Sequence, residues 1–238
     1  MKLSQPPDSS NQELACLPSG RLPRHLLRSL LPLLVVMLAS GCGTVQVQLQ
    51  SDFPVPLVEP LPLSVGILVP EELLGFTHSE EIPGLGDYAI GLGQVPADLL
   101  QRMGTGVFRQ HQLQQAVTAE DAVDGYLLTS IEEVQFALPK QTRSDYYEVW
   151  IRFRFEFLDQ NGASVSQWLL SSYGKANKGD YRGAEGALQA AALLACRDVM
   201  ASFSLNLASH PSAQQWLANM ATTQSAADTA DAAQENAQ

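Results

Sequence analysis

The sequence predicts an α+β domain, an antiparallel sheet with two main helices packed on one face. Three observations point there. Residues 146–158 alternate between Tyr147, Val149, Ile151, Phe153, Phe155 and Phe157 on one side and Tyr146, Glu148, Trp150, Arg152, Arg154 and Glu156 on the other. Period two over a dozen residues marks a strand with one buried and one wet face. Asn161-Gly162 then supplies a tight turn, and Ser164–Tyr173 returns as the hairpin partner. From about Ala184 to Leu207, Leu188, Ala191, Ala192, Ala195, Val199 and Phe203 recur at helical spacing, with Arg197 opposite. An apolar helix stripe and an apolar sheet face must bury each other.

The remaining elements follow in chain order. Gly43 to Pro62 shows no sustained apolar pattern and carries Pro54, Pro56, Pro60 and Pro62, so it reads as an extended tether. Leu63–Val69 has strand length and stops at Pro70, and a long loop through His78 and Pro83 comes next. Asp87–Leu92 is a short strand. Pro96 suits the first turn of a helix, Asp98 suits its dipole, and Leu99, Leu100, Met103 and Val107 give it an apolar face. Val123–Leu138 is a further strand whose alternation slips near Glu132-Glu133, predicting a bulge. Pro211 closes the long helix, and Ala213–Ala221, with Trp216 and Leu217, forms a short appended one. Beyond it, 222–238 is Ala/Gln/Asp-rich and lacks core residues, as disordered tails do. The organisation expected is therefore 1–41 leader, 42–62 tether, 63–221 globular domain and 222–238 tail.

The leader rests on its own residues. Arg21, Arg24 and Arg28 precede an apolar run from Leu30 to Ala39, which closes as Leu38-Ala39-Ser40-Gly41-Cys42. A basic region, a short apolar region and small residues before a cleavage point make a secretory signal. The run is about half the ~20 residues that a spanning helix needs, and Pro32 interrupts it. A cysteine directly after the small residues resembles the lipobox of bacterial lipoproteins. That resemblance implies acylation at Cys42, cleavage before it, and attachment to an envelope membrane. Gly43 is not the Asp that favours inner-membrane retention, so the resemblance implies the outer membrane, facing the periplasm. The domain behind it is loosely similar to small periplasmic accessory lipoproteins that assist envelope machines.

Removing 1–41 takes four of 14 basic and two of 25 acidic residues, leaving 10 against 23 and a net charge of −13. Such a chain repels nucleic-acid phosphates, so no nucleic-acid partner is expected. Of three cysteines, Cys16 leaves with the leader and Cys42 takes the lipid; Cys196 is left alone on an apolar helix, as a small buried hydrophobe.

No Gly-x-Ser-x-Gly, His-Glu-x-x-His, paired-Cys or P-loop motif occurs. No catalytic or metal-ligating residue and no cofactor is therefore assigned. His78 beside Glu80 and Glu81 fits a solvated loop, and Gly91-Leu-Gly93 lacks the third glycine of a dinucleotide fingerprint. Two clusters are candidates for binding. Lys175, Lys178 and Arg182, flanked by Tyr173 and Tyr181, sit just before a helix N-terminus, where unpaired N–H groups favour anions. Trp150, on the wet side of its strand, and Trp168 in the returning strand form an aromatic patch of the kind that binds proteins. The leading expectation is a membrane-tethered, non-enzymatic module for an envelope protein complex or glycan. The alternative is an envelope hydrolase with a dispersed site.

Overall fold

In the computed structural model the described residues are 44–49, 51–118 and 122–222, so Cys42, the leader and all of the tail but Thr222 lie outside them. The fold is α+β, built on two mixed sheets. The larger has five strands in the order β5-β2-β6-β7-β8. These are β2 (Leu61–Leu68), β5 (Phe108–Gln114), β6 (Gly125–Ala137), β7 (Tyr146–Leu158) and β8 (Ser164–Asn177). The smaller has three, in the order β1-β4-β3: β1 (Val45–Gln48), β3 (Thr77–Ile82) and β4 (Gly86–Gly91). Five helices accompany them: α1 (Glu71–Leu74), α2 (Val95–Val107), α3 (Pro139–Thr142), α4 (Gly183–Asn206) and α5 (211–222).

The purely antiparallel sheet with two helices is thereby corrected. Antiparallel pairing holds for β6, β7 and β8 and for β3 with β4, whereas β2 runs parallel to both of its neighbours and β1 runs parallel to β4. Parallel partners are joined by long crossovers, so no turn motif in the sequence announces them.

The long hairpin is the frame. Every odd residue from Val149 to Phe157 is buried on β7, and Asn161-Gly162 makes the turn, with Gly162 in the left-handed region at φ 80°. Residue Asp159 holds that turn, its carboxylate accepting from the Asn161 and Ala163 amides at 2.9 and 2.8 Å. On the buried side α4 lays its alanines, Ala187, Ala191, Ala192 and Ala195, against the sheet. At Gly174 on β8 a Cβ would strike the Ala191 carbonyl and the Ala195 amide, so helix and strand meet backbone to backbone. Phe155, Phe157 and Trp168 cluster on Phe203, and Phe155 lies 4.5 Å from it between ring centroids. Pro211 opens α5 instead of closing α4, which gives way to a 3-10 turn at Leu207–Ser209. The Trp216 indole on α5 donates to the Leu158 carbonyl at 2.8 Å.

Two stretches expected as irregular are built into the domain. Within 42–62, Val45–Gln48 is a strand, Phe53 is 3% exposed, and Leu61-Pro62 opens β2. The Ser51 hydroxyl donates to Asp98, and the Arg197 guanidinium donates to the Asp52 carbonyl at 3.3 Å. Proline favours extended backbone, and extended backbone suits a strap as well as a tether. The long loop after Pro70 contains α1 and β3.

Candidate functional site

Strand pairing decides which side chains share the face of the large sheet opposite α4. Trp150 pairs with Gln135 on β6 and Tyr173 on β8; Arg152 pairs with Glu133 and Ser171; Glu148 pairs with Lys175. The register steps from Ile131↔Phe153 to Glu133↔Arg152, so Glu132 is the bulged residue, where the slip in alternation predicts it. The bulge lets two consecutive carboxylates meet two arginines of the same strand face. Glu133 pairs with Arg152 at 3.0 Å and Glu132 with Arg154 at 2.7 Å.

Beside these ion pairs is an aromatic pair. The Trp150 and Tyr173 rings lie 5.2 Å apart at 36°, each 38% exposed. Next to them a shallow depression of about 200 Å³ is lined by Glu133, Gln135, Trp150, Ile151, Arg152 and Ser171. Partial burial raises the Tyr173 phenol above its ordinary pKa, and the negative charge of nearby Glu148 raises it further. Leu169, 51% exposed, extends the apolar surface along β8. Aromatic and Arg side chains around a small concavity, with fixed carboxylates at its rim, form a surface suited to recognition.

The structure redistributes the predicted residues. Tyr173 and Lys175 join Trp150 on this outer face, where the Lys175 ammonium lies 4.8 Å from the Tyr146 ring centroid. Trp168 does not: pairing with Phe155 turns it inward, where it is 8% exposed and stacks on Phe203 and His210. Its place in the exposed patch is corrected for that reason. The supposed loop before α4 is also shorter than expected, since β8 continues to Asn177. Lys178 is engaged locally, its ammonium 2.8 Å from the Asp145 carboxylate and its amide donating to the Asp145 carbonyl. Tyr181 and Arg182 are exposed ahead of α4. The cations thus face different surroundings and do not close around one point. Glu132, Glu133, Gln135, Arg152 and Ser171 belong to the site and were not singled out from sequence; their signal was membership of the polar side of β6, β7 and β8.

The three histidines among the described residues stay apart. His78 packs edge-on against Phe136, His111 meets the Gln101 amide at 3.0 Å on β5, and His210 stacks on Trp168. Burial lowers the pKa of His111. Among the described residues no group of three His, Cys, Asp or Glu could hold a metal ion. Cys196 is buried, and burial pushes its thiol up to about 12.

No protein-family model and no curated protein matches the chain. Among solved structures, a DUF330 protein from Xanthomonas campestris is similar over 77% of this chain and 98% of its own, at 10% identity and a TM-score of 0.44. An uncharacterized lipoprotein B from Nitrosomonas europaea is similar over 69% of this chain and 92% of its own, at 16% identity and a TM-score of 0.34. A minor lipoprotein from Acinetobacter baumannii covers 63% and 92%, at 14% identity and a TM-score of 0.32.

Proposed function

We propose that this chain is a lipid-anchored, non-enzymatic envelope protein that holds a protein partner on the outer face of its large sheet. The anchor is read from Leu38-Ala39-Ser40-Gly41-Cys42, and Gly43, which is not the Asp that favours inner-membrane retention, supports an outer-membrane location facing the periplasm. The single observation behind the binding role is the Trp150–Tyr173 pair, exposed beside a depression edged by paired charges. Neither ring is needed to fill the core, because α4 and α5 cover the opposite face.

Affinity capture from detergent-solubilised envelopes tests it. The wild-type chain is expected to retain a stoichiometric protein, and Trp150→Ala with Tyr173→Ala is expected to lose it while keeping the wild-type melting temperature. Retention of that protein by the double variant would refute the docking role. Capture of glycan fragments in its place would move the site to the glycan reading.

A further inference from the structure

A lipid on Cys42 would hold the domain close to its membrane, because little chain separates the two. Only Gly43 and Thr44 separate Cys42 from Val45. Whatever their conformation, three Cα steps span at most ~11 Å. Val45 is already fixed, paired with Tyr88 at the start of β1. The following chain cannot pay out as a linker. Phe53 is buried, and Pro56 crosses Gly106 so closely that a Cβ there would lie 2.6 Å from the Pro56 carbonyl oxygen.

Strand direction then selects one end of the molecule. The first strand runs parallel to β4, and β4 pairs antiparallel with β3, so the β3–β4 turn lies where β1 begins. Ile82 pairs with Gly86, two residues before Tyr88, which carries the tip ~7 Å beyond the Val45–Tyr88 row. Thr44, which is exposed, leads into β1 at that same end. The tip, Ile82-Pro83-Gly84-Leu85-Gly86, has no charged side chain; Pro83 and Gly84 are exposed and Leu85 is half-buried. Glu81 and Asp87 stand behind it, exposed, where they stay in water. Helix α4 also begins at this end. The Tyr88 ring lies 6.0 Å from Phe136, and β8 ends at Asn177 opposite Tyr146, six residues before Gly183.

We propose that the uncharged β3–β4 tip rests on the phospholipid surface, so that the acylated domain stands directly on its membrane. The proposal depends on the anchor at Cys42 and adds the surface that touches lipid. An uncharged tip needs no anionic lipid, in keeping with a chain of net charge −13 after cleavage.

Fluorescence quenching tests it on the full chain, expressed with its leader, purified from membranes and reconstituted in phosphatidylcholine vesicles carrying a headgroup quencher. Pro83→Cys and Leu205→Cys each receive a fluorophore. Cys42 is consumed by the acyl linkage, and Cys196 is buried with its thiol pushed up to about 12. Leu205 is 72% exposed and lies ~33 Å along α4 from Gly183, so quenching at position 83 is expected to exceed that at 205 by about threefold or more. Inserting about 20 Gly/Ser residues between Gly43 and Thr44 is expected to abolish the difference. Asp87→Cys reports on the same end should Pro83→Cys not fold. Equal quenching at the two ends of an acylated chain overturns the proposal alone. An intact mass showing residues 1–41 retained, or no acyl chain, overturns the anchor and the proposal together.

Discussion

At Trp150 a large indole lies more than a third exposed between Val149 and Ile151, which are fully buried, and its contact is another exposed ring, Tyr173. Truncating an exposed aromatic usually changes stability by less than ~0.5 kcal/mol, whereas an interface anchor of this type can be worth ~2 kcal/mol or more. Trp150→Ala is therefore expected to leave the urea midpoint in place and weaken partner binding at least tenfold, as titration calorimetry would show. Gly174 is the opposite case. Its missing side chain is what lets β8 touch the α4 backbone, and overpacking of this kind costs ~1–3 kcal/mol. Gly174→Ala is expected to lower the denaturation midpoint accordingly, and an unchanged midpoint would mean the contact is looser than described. At Cys196 burial favours the neutral thiol, so its folded pKa of about 12 exceeds the unfolded value. Its stabilising effect is complete below pH ~8.5 and is lost as pH rises toward 12. Relative to Cys196→Ala, the wild type is expected to lose stability between pH 9 and 11. Parallel pH profiles would show that the thiol is not held neutral.

Among the elements, β7 governs the fold. Phe153→Ala is expected to cost ~3–5 kcal/mol in a urea melt, and Arg154→Ala about 1 kcal/mol or less because its ion pair with Glu132 is partly open to solvent. The reverse order would mean that the two faces are exchanged. This strand was legible in the sequence because one face is wet and the other dry along its whole length, and the bulge at Glu132 was legible because it broke that rhythm. Strands β1, β3 and β5 were not. Thr-His-Ser-Glu-Glu-Ile of β3 and Phe-Arg-Gln-His-Gln-Leu-Gln of β5 are edge strands with few buried residues, and their polarity reads as loop. The site was legible in half. Trp150, Tyr173 and Lys175 share the outer face, but Trp168 needed a register: its partner Phe155, not its own neighbours, sends it inward. The carboxylates on β6 join the site only through pairing with β7, which no local pattern contains.

Across the domain, a strapped N-terminal segment and a wet sheet face form one arrangement. The strap fixes the start of β1, the hairpin sets the direction of the large sheet, and the sheet presents Trp150 on the side away from α4. Cys42→Ser is expected to abolish incorporation of a fatty-acid analogue and to release the domain from its membrane. Equal labelling of the mutant would remove the lipid anchor. A photo-crosslinking amino acid placed at position 150 in living cells, with position 205 as the exposed control, decides whether the outer sheet face is the docking surface. Docking on this face predicts one dominant crosslinked envelope protein at 150, lost when Tyr173→Ala is added, and none at 205. Crosslinking at 150 no stronger than at 205 would contradict it.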